Sequence, residues 1–152
     1  MTDAPLPFFV YGTLLPGEPN HDRFLRGRTR EERPAVLPGA LLYEGPGYPY
    51  AIEGHGTVRG ALVTAAPGAY EELLGLLDGL EQYLGPEHPR NLYERVARRA
   101  VPVLPPDAPG EPVRAWVYLA AAAVTRSLRT GGTPVPGGDW LSRRPPRAPR
   151  TP

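Results

Sequence analysis

The chain has 152 residues, including 22 prolines and 18 glycines, with 41% hydrophobic and 22% charged residues and a formal net charge of +1. That length suits one compact domain and is too short for two ordinary ones, and the breaker content excludes long helices, predicting short strands and loops with one substantial helix. The near-neutral charge makes no case for a nucleic-acid or membrane partner; the absence of Cys excludes disulfides and thiolate nucleophiles; and Met1-Thr2-Asp3-Ala4-Pro5 has neither a basic nor an apolar leader, so a cytoplasmic location is expected.

The first element is the apolar run Phe8-Phe9-Val10-Tyr11, which ends in Gly12-Thr13-Leu14-Leu15-Pro16-Gly17. A run of this length, aromatic, β-branched and cut off by Gly and Pro, predicts a strand covered on both faces. Two readings of the loop stay open. Gly12 lets another group approach the N–H groups of Thr13 and Leu14, which then hold an anion, or Gly12 only ends a core strand and Thr13 closes a turn. Asn20, Asp22 and Gly27 next mark a short helical turn, with His21 just behind the loop. His21 is either a base or, more commonly for a lone His, a structural residue; no acidic partner is evident nearby in sequence.

A second strand is expected over Ala35–Tyr43, bulged or at an edge because of Pro38-Gly39. Residues 44–50 are too broken for regular structure; Tyr48 and Tyr50 there either wall a pocket or cover a barrel end. A further strand follows over Thr57–Thr64, in which Gly60 marks a bulge or a close backbone approach. The one substantial helix begins near Pro67 and runs to Asp78, with Tyr70, Leu73, Leu74 and Leu77 on one face. Continued at that pitch, the face reaches Glu81. A carboxylate aimed at apolar surroundings without a cation is a candidate general acid or base; the alternative is a structural or frayed, solvated Glu. Strands over Leu92–Val103 and Val113–Leu119 follow, joined by the hairpin connection 104–110. After an Ala-rich stretch, the chain reaches Gly138-Asp139-Trp140. Residues 1–141 are read as one domain, and residues 142–152 as an Arg/Pro-rich tail with the composition of a disordered end.

The three His residues lack zinc-ligand spacing, and there is no phosphate loop, dinucleotide fingerprint or Ser elbow, so no metal or cofactor is expected. What remains is one glycine loop and one carboxylate. In this order, Tyr11-Gly12-Thr13-Leu14, Gly17, Asn20-His21, Leu77-Asp78-Gly79-Leu80-Glu81 and Leu92-Tyr93-Glu94-Arg95 resemble the γ-glutamylcyclotransferase family, including its γ-glutamylamine cyclotransferase (AIG2-like) branch. The resemblance extends to about Trp140. It implies an α+β fold, a small mixed β-barrel of about six strands flanked by helices. It further implies a substrate loop matched here by Tyr11, Gly12, Thr13 and Leu14, a catalytic carboxylate matched by Glu81, and an aromatic wall to which Tyr48 and Tyr93 are assigned.

The activity implied is metal-free cyclisation of a γ-glutamyl amine or peptide to 5-oxoproline by a monomer or weak homodimer, with a small γ-glutamyl molecule as the partner. The substrate's own α-amine is the nucleophile, which agrees with the lack of Cys and of a Ser elbow. Two departures bear on the leaving-group side: Gln82 stands where relatives commonly have Gly, and residues 84–89 lengthen the connection to Tyr93, so that Glu87 or His88 either shapes the pocket or belongs to plain loop. Alternatives are a non-catalytic ligand-binding domain of the same fold and an interaction protein working through the tail.

Overall fold

In the computed structural model, which describes residues 5–105 and 108–142, the run Phe8–Val10 forms strand β1, every residue of which is buried. Side chains of a strand alternate between faces. Phe8 and Val10 therefore join Leu73 and Leu77 of helix α1 (Tyr70–Leu80) in one core, while Phe9 joins Tyr11, Val58, Leu62 and Val117 in a second. The unbroken apolar pattern thus has the cause expected of it: both faces are covered.

β1 pairs antiparallel with β3 (Pro49–Ala65) and parallel with β6 (Val113–Ala120). β6 continues to β4 (Tyr93–Leu104), and β4 closes on β2 (Thr29–Glu44), which returns along β3. The result is a closed mixed barrel of five strands, with the short β5 (Ala108–Pro109) added at the edge of β4. Closure satisfies the sheet edges that an open sheet would leave unpaired.

The expectation of short strands is corrected here. β2 and β3 run for 16 and 17 residues, and the segment read as broken holds only a tight turn, since β2 ends at Glu44 and β3 begins at Pro49. The breakers bend these strands instead of ending them. The register shifts between Pro38 and Ala40, where Gly39 has φ +77°. At Gly54 and Gly56 a Cβ would meet the Leu41 side chain at 2.6 Å, and at Gly60 it would meet the Val10 carbonyl oxygen at 2.1 Å. Gly60 is a close backbone approach, one of the two readings left open for it.

Helix α1 starts three residues after Pro67, beyond a turn at Gly68 (φ +80°). A second helix, α2 (Ala122–Gly131), was not anticipated; only Leu128 of it is buried, which leaves little periodic signal, although its Ala content favours a helix. The chain then packs across the β2–β3 hairpin, where the Val135 N–H bonds the Leu42 carbonyl (2.8 Å) and Trp140 is buried. Trp140 Nε1 donates to Glu18 Oε1 (3.0 Å), tying this segment to the loop after β1. Ser142, the first residue assigned to the tail, closes the turn Trp140–Ser142; residues 143–152, where the rest of that reading falls, lie outside the described residues. No helix among the described residues is long and apolar enough to cross a membrane.

Candidate active site

At the C-terminal end of β1 the chain leaves the barrel, and a Gly12 carbonyl to Leu15 N–H bond (3.0 Å) turns it. The group that approaches Gly12 belongs to the protein: a Cβ there would meet Cγ and Cδ of Pro49 at 2.7 Å. Thr13 is held twice by Asn20, whose backbone N–H bonds the Thr13 carbonyl (3.0 Å) and whose Nδ2 donates to Thr13 Oγ1 (2.9 Å). The N–H groups of Gly12, Thr13 and Leu14 make no hydrogen bond to any described residue. Three neighbouring donors without partners form a surface suited to an anion or a carbonyl oxygen.

Facing this loop is Glu81. Gly79 does not stop α1, because the Glu81 N–H still bonds the Leu77 carbonyl (2.9 Å), so the helical pitch carries Glu81 onto the face of Leu73 and Leu77. The helix ends one residue later: the N–H of Gln82 bonds the Gly79 carbonyl (3.2 Å) and that of Tyr83 bonds the Asp78 carbonyl (2.9 Å), a Schellman closure. That closure requires a left-handed residue, and Gln82 supplies it at φ 54°, a conformation that costs a side-chain-bearing residue about 1 kcal/mol.

Between loop and helix end lies a cleft whose lining includes Tyr11, Gly12, Thr13, Leu14, Tyr48, Tyr93 and Glu81. The structure thus brings together every residue that the sequence nominated for the site. It adds Phe9, Val10, Pro49 and Tyr118 to the wall, and Asn20 behind it. Tyr118 had a signal in the aromatic alternation of its strand, and Pro49 in its place beside Tyr48, in the segment whose resemblance is to the family's aromatic wall. Tyr48, Tyr50 and Tyr93 form an aromatic cluster, with Tyr50 and Tyr93 stacked at 5.0 Å between centroids. A second cavity of about 250 Å³ shares Thr13, Tyr48, Glu81 and Tyr93 with the cleft and adds Leu80, Gln82 and Leu92.

Burial drives the electrostatics. The Glu81 carboxyl has no described hydrogen-bond partner, and desolvation raises its pKa from 4.5 to about 7. The residue as a whole keeps some exposure, so the cleft reaches the carboxyl even though protein surrounds most of it. Desolvation also pushes the phenols of Tyr11, Tyr93 and Tyr118 well above their ordinary value, with the Glu81 charge adding to the effect, and that of Tyr50 to about 12. All four therefore stay protonated as donors at neutral pH. Tyr93 donates to the Pro49 carbonyl (2.6 Å) and Tyr11 to the Tyr118 carbonyl, while Tyr118 donates to Asp78. Asp78 in turn pairs with Arg95 (3.2 Å), whose guanidinium lies over Trp116 at 4.5 Å. This chain of contacts braces the end of α1 on which Glu81 sits.

The raised Glu81 pKa sets a sign for stability. The folded state holds this proton to higher pH than the unfolded state, so stability is lost as pH rises from about 4.5 to about 7, by about 3 kcal/mol at most, reduced by the partial exposure. Glu81→Gln is therefore expected to match the wild type in urea unfolding near pH 4 and to exceed it at pH 8. A gap that does not change with pH would contradict the desolvated carboxyl.

His21 is corrected in one respect: it has acidic partners. Nε2 lies 2.7 Å from Glu32 Oε1 and Nδ1 lies 3.6 Å from Asp22, because β2 starts earlier than expected and carries Glu32 alongside. Thr29 also donates to Glu32 (2.8 Å), and His21 is not part of the cleft lining, which fits the structural reading. Neither Glu87 nor His88 borders the cleft or the second cavity. Buried Asn91 organises their loop, accepting from the Leu84 N–H (2.7 Å) and donating to Gly85 O and Glu94 Oε2. Among the described residues no three His, Asp or Glu side chains converge as metal ligands would.

A closed mixed barrel thus carries one desolvated carboxyl across a cleft from a loop of unpaired N–H groups. Residues 8–142 match the model of the family described as gamma-glutamyl cyclotransferase, AIG2-like, and the chain belongs to that family. Among its relatives, the gamma-L-glutamyl-butirosin B gamma-glutamyl cyclotransferase of Niallia circulans is 39% identical over 88 residues, 58% of this chain and 53% of that protein. The match thus spans about half the length of that relative. An AIG2-like protein from Mus musculus superimposes with a TM-score of 0.57 at 25% identity, covering 76% of this chain and 77% of that one. The uncharacterised protein PH0828 of Pyrococcus horikoshii shares the fold, with a TM-score of 0.57 at 20% identity over 90% of each chain.

Proposed function

We propose that this protein is a γ-glutamyl cyclotransferase that converts a γ-glutamyl amine or peptide to 5-oxoproline and the free amine, with Glu81 as the single proton-transfer group. The observation that carries the reading is the pairing, across one cleft, of a partnerless carboxyl with pKa about 7 and a loop of unpaired N–H groups. The name of the Niallia circulans relative, which acts on a γ-glutamyl compound, supports the same chemistry.

In this reaction the α-amine of the substrate attacks its own γ-carbonyl carbon. Nucleophile and electrophile belong to one molecule, so the protein's task is to hold the folded conformer. Loop N–H groups of Gly12 to Leu14 receive the substrate carboxylate or the oxygen that becomes negative as the tetrahedral centre forms. Glu81, as carboxylate, takes one proton from the α-ammonium; the amine nitrogen then attacks the γ-carbonyl carbon and closes the five-membered ring; Glu81 returns that proton to the departing nitrogen as the original C–N bond breaks, and then takes the remaining extra proton from the ring nitrogen, leaving the neutral lactam, and passes it to the released amine. One group serves all these steps because its pKa lies near neutrality. Tyr48 and Tyr93 also line the cleft, where aromatic faces exclude water.

The test is release of 5-oxoproline from a panel of γ-glutamyl amines and dipeptides. A folded protein that converts none removes the reading, and binding without turnover replaces it by a ligand-binding role. Asn20→Ala checks the loop: loss of the Nδ2 bond to Thr13 leaves the backbone bond intact, so a rise in KM of about threefold to tenfold with little change in kcat is expected in steady-state assays.

A further inference from the structure

The cleft and the second cavity share Thr13, Tyr48, Glu81 and Tyr93, so both open onto the same carboxyl. On the cyclotransferase reading, on which this inference rests, the departing nitrogen must lie within proton-transfer reach of Glu81. The ring-forming half of the substrate fills the cleft beside the loop. Whatever the departing nitrogen carries must then continue past Glu81, where the second cavity begins. We propose that this second cavity is the leaving-amine subsite and that Gln82 determines its specificity, its carboxamide hydrogen-bonding a hydroxyl or similar uncharged polar group on the departing amine.

The chemistry of the walls supports this class. Leu80 and Leu92 are the aliphatic lining and suit methylenes. Two polar groups on the shared side already have partners within the protein, Thr13 Oγ1 accepting from Asn20 Nδ2 and Tyr93 donating to the Pro49 carbonyl. The Gln82 carboxamide has no partner among the described residues. It offers two donors and an acceptor, and so matches a hydroxyl in either role. Its backbone sits in the left-handed position that a Schellman closure favours for glycine, yet this chain keeps a side chain there at the mouth of the cavity. No cation lines the cavity, and Glu81 would repel a carboxylate placed beside the departing nitrogen, which disfavours γ-glutamyl amino acids. Arg90 lines a separate cavity that also borders Gln82, and a carboxylate reaching it is the competing arrangement.

Three γ-glutamyl compounds separate these cases on the full chain: the ethanolamide, the propylamide, which replaces the hydroxyl by a methyl, and γ-glutamylglycine. The wild type is expected to favour the ethanolamide over the propylamide about fivefold to tenfold in kcat/KM, the range of one net hydrogen bond. Gln82→Gly and Gln82→Leu, the first compatible with the left-handed backbone and the second close in size, are expected to bring that ratio near one, mainly through KM. The ratio is read within each variant, so a general loss of activity does not mimic the result. A wild-type ratio of one, a ratio unchanged in both variants, or a preference for γ-glutamylglycine that Arg90→Ala removes would overturn the assignment. γ-Glutamyl methylamide, too small to use the cavity, isolates the underlying reading: its conversion keeps the cyclotransferase whatever happens to Gln82, and failure on all four compounds removes both.

Discussion

Replacing Glu81 by Gln is expected to lower kcat for 5-oxoproline release about 10²–10⁴-fold, with KM nearly unchanged. The substitution keeps shape and hydrogen-bonding capacity but cannot accept the α-ammonium proton, so it removes an interaction realised in the reaction itself and not in binding. No other carboxyl lines the cleft to take over; Asp78, one helical turn earlier, is committed to Tyr118 and Arg95. The wild-type pH profile carries the same signature. Below about pH 7 Glu81 is increasingly protonated and unable to act as base, so kcat/KM is expected to fall on the acid side with an apparent pKa near 7. Glu81→Gln should lose that limb. Retention of activity within tenfold of the wild type would show that proton transfer runs through another group or through solvent.

Gly60→Ala is expected to destabilise the fold by about 3 kcal/mol or more, well beyond an ordinary glycine substitution. The added Cβ would stand 2.1 Å from the Val10 carbonyl oxygen and 2.8 Å from Phe9 Cζ. Backbone cannot swing aside as the end of a flexible side chain can. β1 has only three residues and is held between β3 and β6, so relief requires displacing the strand that closes this side of the barrel. The substrate loop hangs from the end of that strand, and the activity is expected to fall with the stability. Gly75→Ala is the control: nothing lies within 4 Å of a Cβ there, and in the interior of α1 the change is expected to stabilise by about 0.5–1 kcal/mol. Thermal unfolding of the two variants checks the pair. A Gly60→Ala midpoint within a few degrees of the wild type would mean that β1 and β3 are less tightly apposed than described.

Much of the site was legible because its determinants are local. The apolar run before Gly12 specifies a strand buried on both faces, and the spacing of Tyr70, Leu73, Leu74 and Leu77 specifies the helix face that continues to Glu81. Hydrogen bonding within a helix runs four residues back, so pitch alone carries the carboxylate to the apolar side. The order of these pieces also carried the resemblance to a barrel family.

Other features depend on contacts between residues far apart in the chain. His21 finds Glu32 only because β2 begins at Thr29, and α2 has a single buried residue to announce it. Pro38-Gly39 and Gly60 were legible as a bulge and a close approach, but that β3 runs on through Gly54 and Gly56 was not, because it is Leu41 of the facing strand that occupies the space their missing side chains leave. Pro49 reaches the cleft through its packing on Gly12, a contact no local pattern encodes. By itself, then, the sequence determined the strand, the helix face and the loop with its carboxylate, since each follows from spacing along the chain. Only the tertiary structure decided what surrounds Glu81. Its desolvation, the unpaired loop donors opposite it and the cavity beside Gln82 all arise from barrel closure, which sets strands from opposite ends of the chain around one point.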